Sequence, residues 1–217
     1  MLKALSSSGE PTVKSFHSLV ATRQTHAPRL KDWKLAKRIA RYLKGITTLK
    51  MNMTPVNNAS SPITIEAYSD AYYAADKNDR KSLPGSVVLV NGIAISWASR
   101  KQGGVTLSTM EAEFVAASEN ARELLGIQKK LGEVGMEPEL PMTLHVNNQA
   151  AIRQLDGEAT SMKAKHIGVR VQFVCNLVCR GVIKAQYVHT DEQLADALTK
   201  ALDAPKLAAM RKLLGVA

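Results

Sequence analysis

The chain has 217 residues, 45% of them hydrophobic, 22% charged and 5% aromatic, which is apolar enough for one packed domain, or one plus part of a second, and too apolar for a disordered chain. No apolar run is long enough to span a bilayer, and no long apolar stretch follows the N-terminus as in a secretory signal. The two cysteines give no disulfide framework, so a reducing compartment, cytoplasm or nucleus, is expected. Net charge is +10, and residues 1–50 carry most of it, with 11 basic and 2 acidic side chains. Such asymmetry points to a polyanion contact near the N-terminus, or simply to a solvated basic helix.

Residues 1–30 show no clear period and read as loop or a broken element. Residues 32–44 read as an amphipathic helix, with Asp32 as N-cap and Gly45 as the stop. Leu35, Ile39, Tyr42 and Leu43 share one face, and Lys34, Lys37, Arg38 and Arg41 crowd the other. Residues 52–62 are a linker by composition, so a boundary is expected there. Residues 63–70 read as a strand ending at Asp70, and the polar stretch that follows ends in a Leu83-Pro84-Gly85 loop. Asn91-Gly92 between two apolar runs, 87–90 and 93–97, is a strong hairpin signal because both residues tolerate positive φ. A long helix over 109–132, a strand over 143–146 and helices over 148–155 and 163–180 come next. A last strand over 182–188 precedes two helices, 192–200 and 204–214. The order predicts an α/β fold. Its mixed five-stranded sheet is an antiparallel meander plus parallel strands, flanked by helices.

In such a sheet, chemistry collects at strand ends and helix starts. Asp70, Glu113, Asn147 and Asp196 all fall at such places. Carboxylates gathered there would hold hard divalent cations, and two Mg²⁺ ions roughly 3.5–4 Å apart can clamp both oxygens of a phosphodiester displacement. Ser108-Thr109-Met110-Glu111 has the capping-box pattern. Glu111 therefore gets a structural task and Glu113, pointing elsewhere around the helix, the metal.

Several ordered motifs carry a family resemblance. They are Tyr68-Ser69-Asp70-Ala71, Asp79-Arg80-Lys81-Ser82, residues 95–102 (Ile-Ser-Trp-Ala-Ser-Arg-Lys-Gln) and residues 107–114 (Leu-Ser-Thr-Met-Glu-Ala-Glu-Phe). Asn148-Gln149-Ala150-Ala151-Ile152, Lys165-His166-Ile167 and residues 192–200 (Glu-Gln-Leu-Ala-Asp-Ala-Leu-Thr-Lys) complete the set. Together they resemble the ribonuclease H domain of Ty1/copia-type retrotransposon polyproteins. Residues 33–45 are similar to the family's segment joining reverse transcriptase to ribonuclease H. The paired aspartates of a reverse transcriptase palm are absent. The resemblance implies a basic connection remnant over 1–51, a ribonuclease H-like domain over 63–202 and a C-terminal helix over 203–217.

It also implies Mg²⁺-dependent hydrolysis of the RNA strand of an RNA–DNA hybrid, with two ions held by Asp70, Glu113 and Asp196. Where the family has a further metal-binding Asp before Asn-Gln, this chain has Asn147. Asn is nearly isosteric but neutral, so catalysis is expected to be weakened or lost. Gly168 replaces another family Asp, and Tyr72 and Ala75 alter the loop after the first strand. The alternative reading is a non-catalytic nucleic-acid- or protein-binding remnant, or a co-opted domain.

His189 follows the last strand, where it would assist proton transfer or product release, or be a plain surface histidine. The basic face of Lys34, Lys37, Arg38 and Arg41 is the candidate for sequence-independent phosphate contact. Arg100, Lys101 and Gln102 follow the third strand and are placed to touch the hybrid. Lys165 and His166 are candidates for backbone phosphate, with a packing role open beside it. Cys175 and Cys179, four apart on a helix without a matching His/Cys pair, read as packing rather than zinc. No membrane and no small-molecule substrate are expected.

Overall fold

Asn91 and Gly92 take φ of 49° and 77°, the paired positive values of a two-residue hairpin, and this turn sets the register of the sheet's antiparallel half. The computed structural model describes residues 26–54, 61–76, 78–155, 165–200 and 202–216. Its strands are β1 (Ile65–Tyr72), β2 (Leu83–Val90), β3 (Ile93–Ser99), β4 (Met142–Val146) and β5 (Ile183–Tyr187). Its helices are α1 (Leu30–Gly45), α2 (Thr109–Glu133), α3 (Gln149–Leu155), α4 (Lys165–Cys179), α5 (Asp196–Thr199) and α6 (Ala204–Leu213). The strand order is β3-β2-β1-β4-β5. β2 pairs antiparallel with both β1 and β3, while β4 pairs parallel with β1 and β5. This is the mixed five-stranded sheet that the sequence predicts.

Strand alternation divides the core into two layers. Val88 on β2 joins Ile65, Ala67, Leu144 and Ile183 against Phe114, Leu124 and Val174 of the helices on one face. Its neighbours Val87 and Leu89 point the other way, onto Leu194, Leu202 and Met210. Each such large side chain, once fully buried, stabilises the fold by about 1.5–3 kcal/mol. The long helix α2 starts as its sequence requires: Ser108 Oγ accepts the Glu111 N–H at 3.1 Å, and the Glu111 carboxylate accepts the Leu107 N–H at 2.6 Å.

Several boundaries differ from the sequence reading. β1 runs past Asp70 to Tyr72, and β2 begins at Leu83, so Leu83-Pro84-Gly85 is strand rather than loop. Asp70 faces Gly85 inside the ladder. Gly85 is there because of space: an added Cβ would stand 2.6 Å from Thr199 Cγ2 and 3.0 Å from the Ala195 carbonyl. The helix expected over 192–200 shrinks to α5. Gln193 turns inward instead, donating to the Ser69 carbonyl at 2.9 Å while its own oxygen accepts the Ala195 N–H at 3.2 Å. Side-chain bonding to the backbone thus replaces the first helical turn. α1 begins at Leu30, so Asp32 acts from its third position, accepting the Arg29 N–H at 2.9 Å, and not as the N-cap.

None of the α1 side chains is buried; Trp33 stays 59% exposed with Lys37 Nζ 5.2 Å from its ring centre. Asn52 donates its N–H to the Gly215 carbonyl at 2.7 Å, tying the start of the expected linker to the end of α6. The remaining expectations for residues 1–25, 55–60 and 163–164 lie outside the described residues.

Candidate active site

β1 carries Asp70 into the interior, where it is 1% exposed, and α5 brings Asp196 beside it with no exposed surface. A single ammonium joins them. Lys200 Nζ lies 3.0 Å from Asp70 Oδ1 and 2.6 Å from Asp196 Oδ1. Thr199 Oγ1 donates to Asp70 Oδ2 through a short hydrogen bond. Asn147, directly after β4, donates its side-chain N–H to Asp70 Oδ1 at 3.4 Å. A second ammonium, Lys206 Nζ, sits 3.4 Å from Asp196 Oδ2 and 3.8 Å from Asp191 Oδ1.

Glu113 enters from the first turns of α2 and is 7% exposed. Its carboxyl is pushed up to about 8 by burial first and by the Asp70 charge second, with the Ala71 N–H opposing as a donor. Glu113 Oε2 is buried without a hydrogen-bond partner. Burial likewise raises the Asp196 carboxyl, with the Lys200 hydrogen bond opposing. Burial works against the Lys200 charge, but Asp70 and Asp196 outweigh it and the ammonium is held above its ordinary range.

The four positions singled out in the sequence therefore meet at one place. Carboxylate oxygens are the donors that hard cations prefer, and Glu113 Oε2 is buried with no hydrogen-bond partner. Among the described residues, no three acidic, histidine or cysteine side chains stand close enough to share one ion, and the Lys200 ammonium bridges Asp70 and Asp196. Lys200, Thr199, Gln193 and Lys206 escaped the sequence reading. The spacing Asp196–Lys200, one turn apart, was the available signal.

The other candidates separate from this centre. His189 is exposed and faces Asp191, with Nδ1 3.5 Å from Asp191 Oδ2. It reaches the site only indirectly, through Asp191 and Lys206. Arg100 is exposed and lines a polar groove of about 540 Å³ with Lys101, Trp97 and Arg122. Lys101 is committed to Asp76 and Asp79, at 2.7 and 2.6 Å. Gln102 is 3% exposed and donates to the Ala112 carbonyl at 3.0 Å, so it packs against α2 and offers no surface to a nucleic acid. Lys34, Lys37 and Arg41 project from α1 into solvent, with Arg38 half-buried. Lys165 is the first residue of α4, and its side chain and that of His166 lie outside the described residues.

The chain is 34% identical over 177 residues, 82% of its length, to the retrovirus-related Pol polyprotein from transposon RE2 of Arabidopsis thaliana. It is 32% identical over 197 residues, 91% of its length, to the corresponding polyprotein from transposon TNT 1-94 of Nicotiana tabacum. The chain belongs with the Ty1/copia-type Pol polyproteins of transposons. It spans only 12% and 14% of those two relatives. No family model matches it. Among solved structures, LC11-RNase H1, isolated from compost, aligns over 70% of this chain and 98% of its own at 18% identity, with a TM-score of 0.48.

Proposed function

We propose that this domain hydrolyses the RNA strand of RNA–DNA hybrids in a Mg²⁺-dependent reaction, at a rate lowered by Asn147. The observation that carries the reading is the meeting of Asp70 and Asp196 on one ammonium, with Asn147 hydrogen-bonded to Asp70 and the buried Glu113 carboxyl feeling the charges of both aspartates. Asp70, Glu113 and Asp196 would hold the metal. Bound there, Mg²⁺ would polarise the scissile phosphate and acidify an attacking water. Asp70 is kept in one orientation by Thr199, Asn147 and Lys200, and a metal ion would have to draw Asp70 and Asp196 away from the Lys200 ammonium. The exposed cations of α1 would engage backbone phosphates without reading sequence. Asn147 supplies the geometry of the family's Asp without its charge.

Replacing Asn147 with Asp restores a carboxylate beside Asp70. If that charge stabilises the transition state by about 3–4 kcal/mol, cleavage rises by two to three powers of ten. The test is cleavage of a labelled hybrid by the protein and by Asn147→Asp. Failure of both to cut the RNA strand would refute the reading. A second reading, hybrid binding without hydrolysis, is favoured by the Lys200 ammonium between the two aspartates. It requires salt-dependent binding that persists while Asn147→Asp stays inactive.

A further inference from the structure

β3 is an edge of the sheet and, among the described residues, pairs with β2 on one side only. Edge strands are ordinarily protected by charged residues or proline, because their unpaired N–H and C=O groups accept another strand. The opposite edge, β5, carries Lys184. Ile93–Ser99 has no charge and no proline, and two of its apolar side chains stand out, Ile95 at 44% and Trp97 at 59% exposure.

The two faces of this edge differ. Trp97 is the cross-strand partner of Val87, which points onto the layer of Leu194, Leu202 and Met210, so Trp97 lies on that face at its rim. A register shift leaves Ile95 beside it, outside the β2 ladder. Ser96 and Ala98 point the other way, towards α2, and Ser96 Oγ donates to Glu123 Oε1 at 2.8 Å. Both are small, and they line the groove of about 540 Å³ between β3 and α2. Arg100 and Arg122 line it as well, and neither has a hydrogen-bond or ion-pair partner among the described residues. We propose that β3 is a docking edge for an extended acidic peptide segment of a partner protein. The segment adds a strand beside β3, turns apolar side chains onto Trp97 and Ile95, and places carboxylates in the groove against Arg100 and Arg122.

Charge and hydrogen-bonding capacity select this occupant. A second copy of the chain carries the same net charge of +10 and is repelled. A nucleic-acid strand is anionic too, but its phosphodiester backbone only accepts hydrogen bonds. The strand edge offers N–H and C=O groups together, so it is satisfied by a chain that both accepts and donates. Glu119 and Glu123 stand on the same wall of the groove and oppose a phosphate at every nucleotide, whereas a peptide can set a small residue there. The alternation required, apolar then polar, is the period of a strand. The inference is independent of the proposed hydrolysis.

The test is an NMR titration of the isotope-labelled full chain with the peptide Val-Glu-Val-Ser-Val-Glu-Val, whose seven residues match the length of β3. Its carboxylates also suit the α1 cations, so the place of the response decides. The amides of residues 93–100 and the Trp97 indole N–H shift most and saturate. The same peptide with lysine at both glutamate positions binds about tenfold more weakly or worse. Arg100→Gln combined with Arg122→Gln weakens the acidic peptide by roughly fivefold to tenfold, as the loss of two exposed ion pairs allows. Trp97→Asp, at an exposed position, removes the β3 response. Dispersed amide spectra verify that each variant is folded; where one is not, the two peptides on the unaltered protein decide. An unmoved β3, or shifts confined to α1, would overturn the inference. Equal binding of the acidic and basic peptides would overturn it as well, because charge would then select nothing. Displacement of the peptide from β3 by single-stranded oligothymidylate would make the edge a nucleic-acid groove. Concentration-dependent broadening of the same amides without peptide would make it a contact between two copies. Either of these results also overturns the proposal.

Discussion

Glu113→Gln tests the electrostatics of the pocket through stability rather than activity. Glu113 titrates from an ordinary 4.5 up to about 8 in the fold because burial and the Asp70 charge disfavour its ionised form. The unfolded chain ionises it near 4.5. Below that pH both states are protonated, and the contribution of the neutral acid to stability is present in full. Between there and about 8 the unfolded state loses its proton first, so stability falls as pH rises, and above the folded value it levels off. At 1.36 kcal/mol per unit the difference amounts to about 5 kcal/mol. Gln has the shape of the neutral acid and no proton to lose, so the variant lacks this slope. Asp196 is also raised by burial, but its titration is common to both proteins and leaves their difference unchanged to first order. The assay is urea unfolding in EDTA from pH 4 to pH 9. Near pH 4 the two proteins match. At pH 9 the variant is more stable by several kcal/mol, roughly 10 °C or more in Tm for a chain of this size. Parallel profiles from pH 5 to pH 9 would refute the reasoning, since they would mean that Glu113 is solvated and far from Asp70.

Gly85→Ala places a methyl group 2.6 Å from Thr199 Cγ2 and 3.0 Å from the Ala195 carbonyl, so α5 must move off β2. A loss of about 1–3 kcal/mol is expected by urea unfolding, and an unchanged midpoint would show that this packing is loose. Replacing Lys34, Lys37, Arg38 and Arg41 together with Ala should weaken hybrid binding equally for all sequences, since each cation meets phosphate rather than a base. The slope of log affinity against log salt should fall by up to about 4, measured by fluorescence anisotropy; an unaltered slope would remove α1 from the interface.

Local signals account for what the sequence disclosed. The Asn91-Gly92 hairpin and the Ser108–Glu111 cap need only neighbouring residues, and both are present as read. The acids at 70, 113 and 196 were legible because they fall at element ends and within resembling motifs, and Asn147 stood out against the same motifs. What stayed hidden depends on contacts distant in sequence. Pro84-Gly85 looks like a turn, yet it lies in β2 because Gly85 lets α5 approach the sheet. Glu192 to Lys200 has helical composition, but Gln193 finds better partners on β1, more than 120 residues away in sequence. Gln102 follows two cations and reads as surface, while its amide is drawn onto α2. Lys200 closes one of the resembling motifs, with nothing local to mark it as a partner of two carboxylates. Only the three-dimensional meeting of β1 and α5 gives it two carboxylates.

The most direct test of the whole account is a Mg²⁺ titration of the folded protein followed by backbone amide NMR. The shifts should concentrate at Asp70, Ala71, Glu113, Asn147 and residues 196–200, saturate, and vanish in Asp70→Asn. A titration that leaves those amides still, or that moves a different patch of the surface, would contradict the claim that these distant acids form one divalent-cation site.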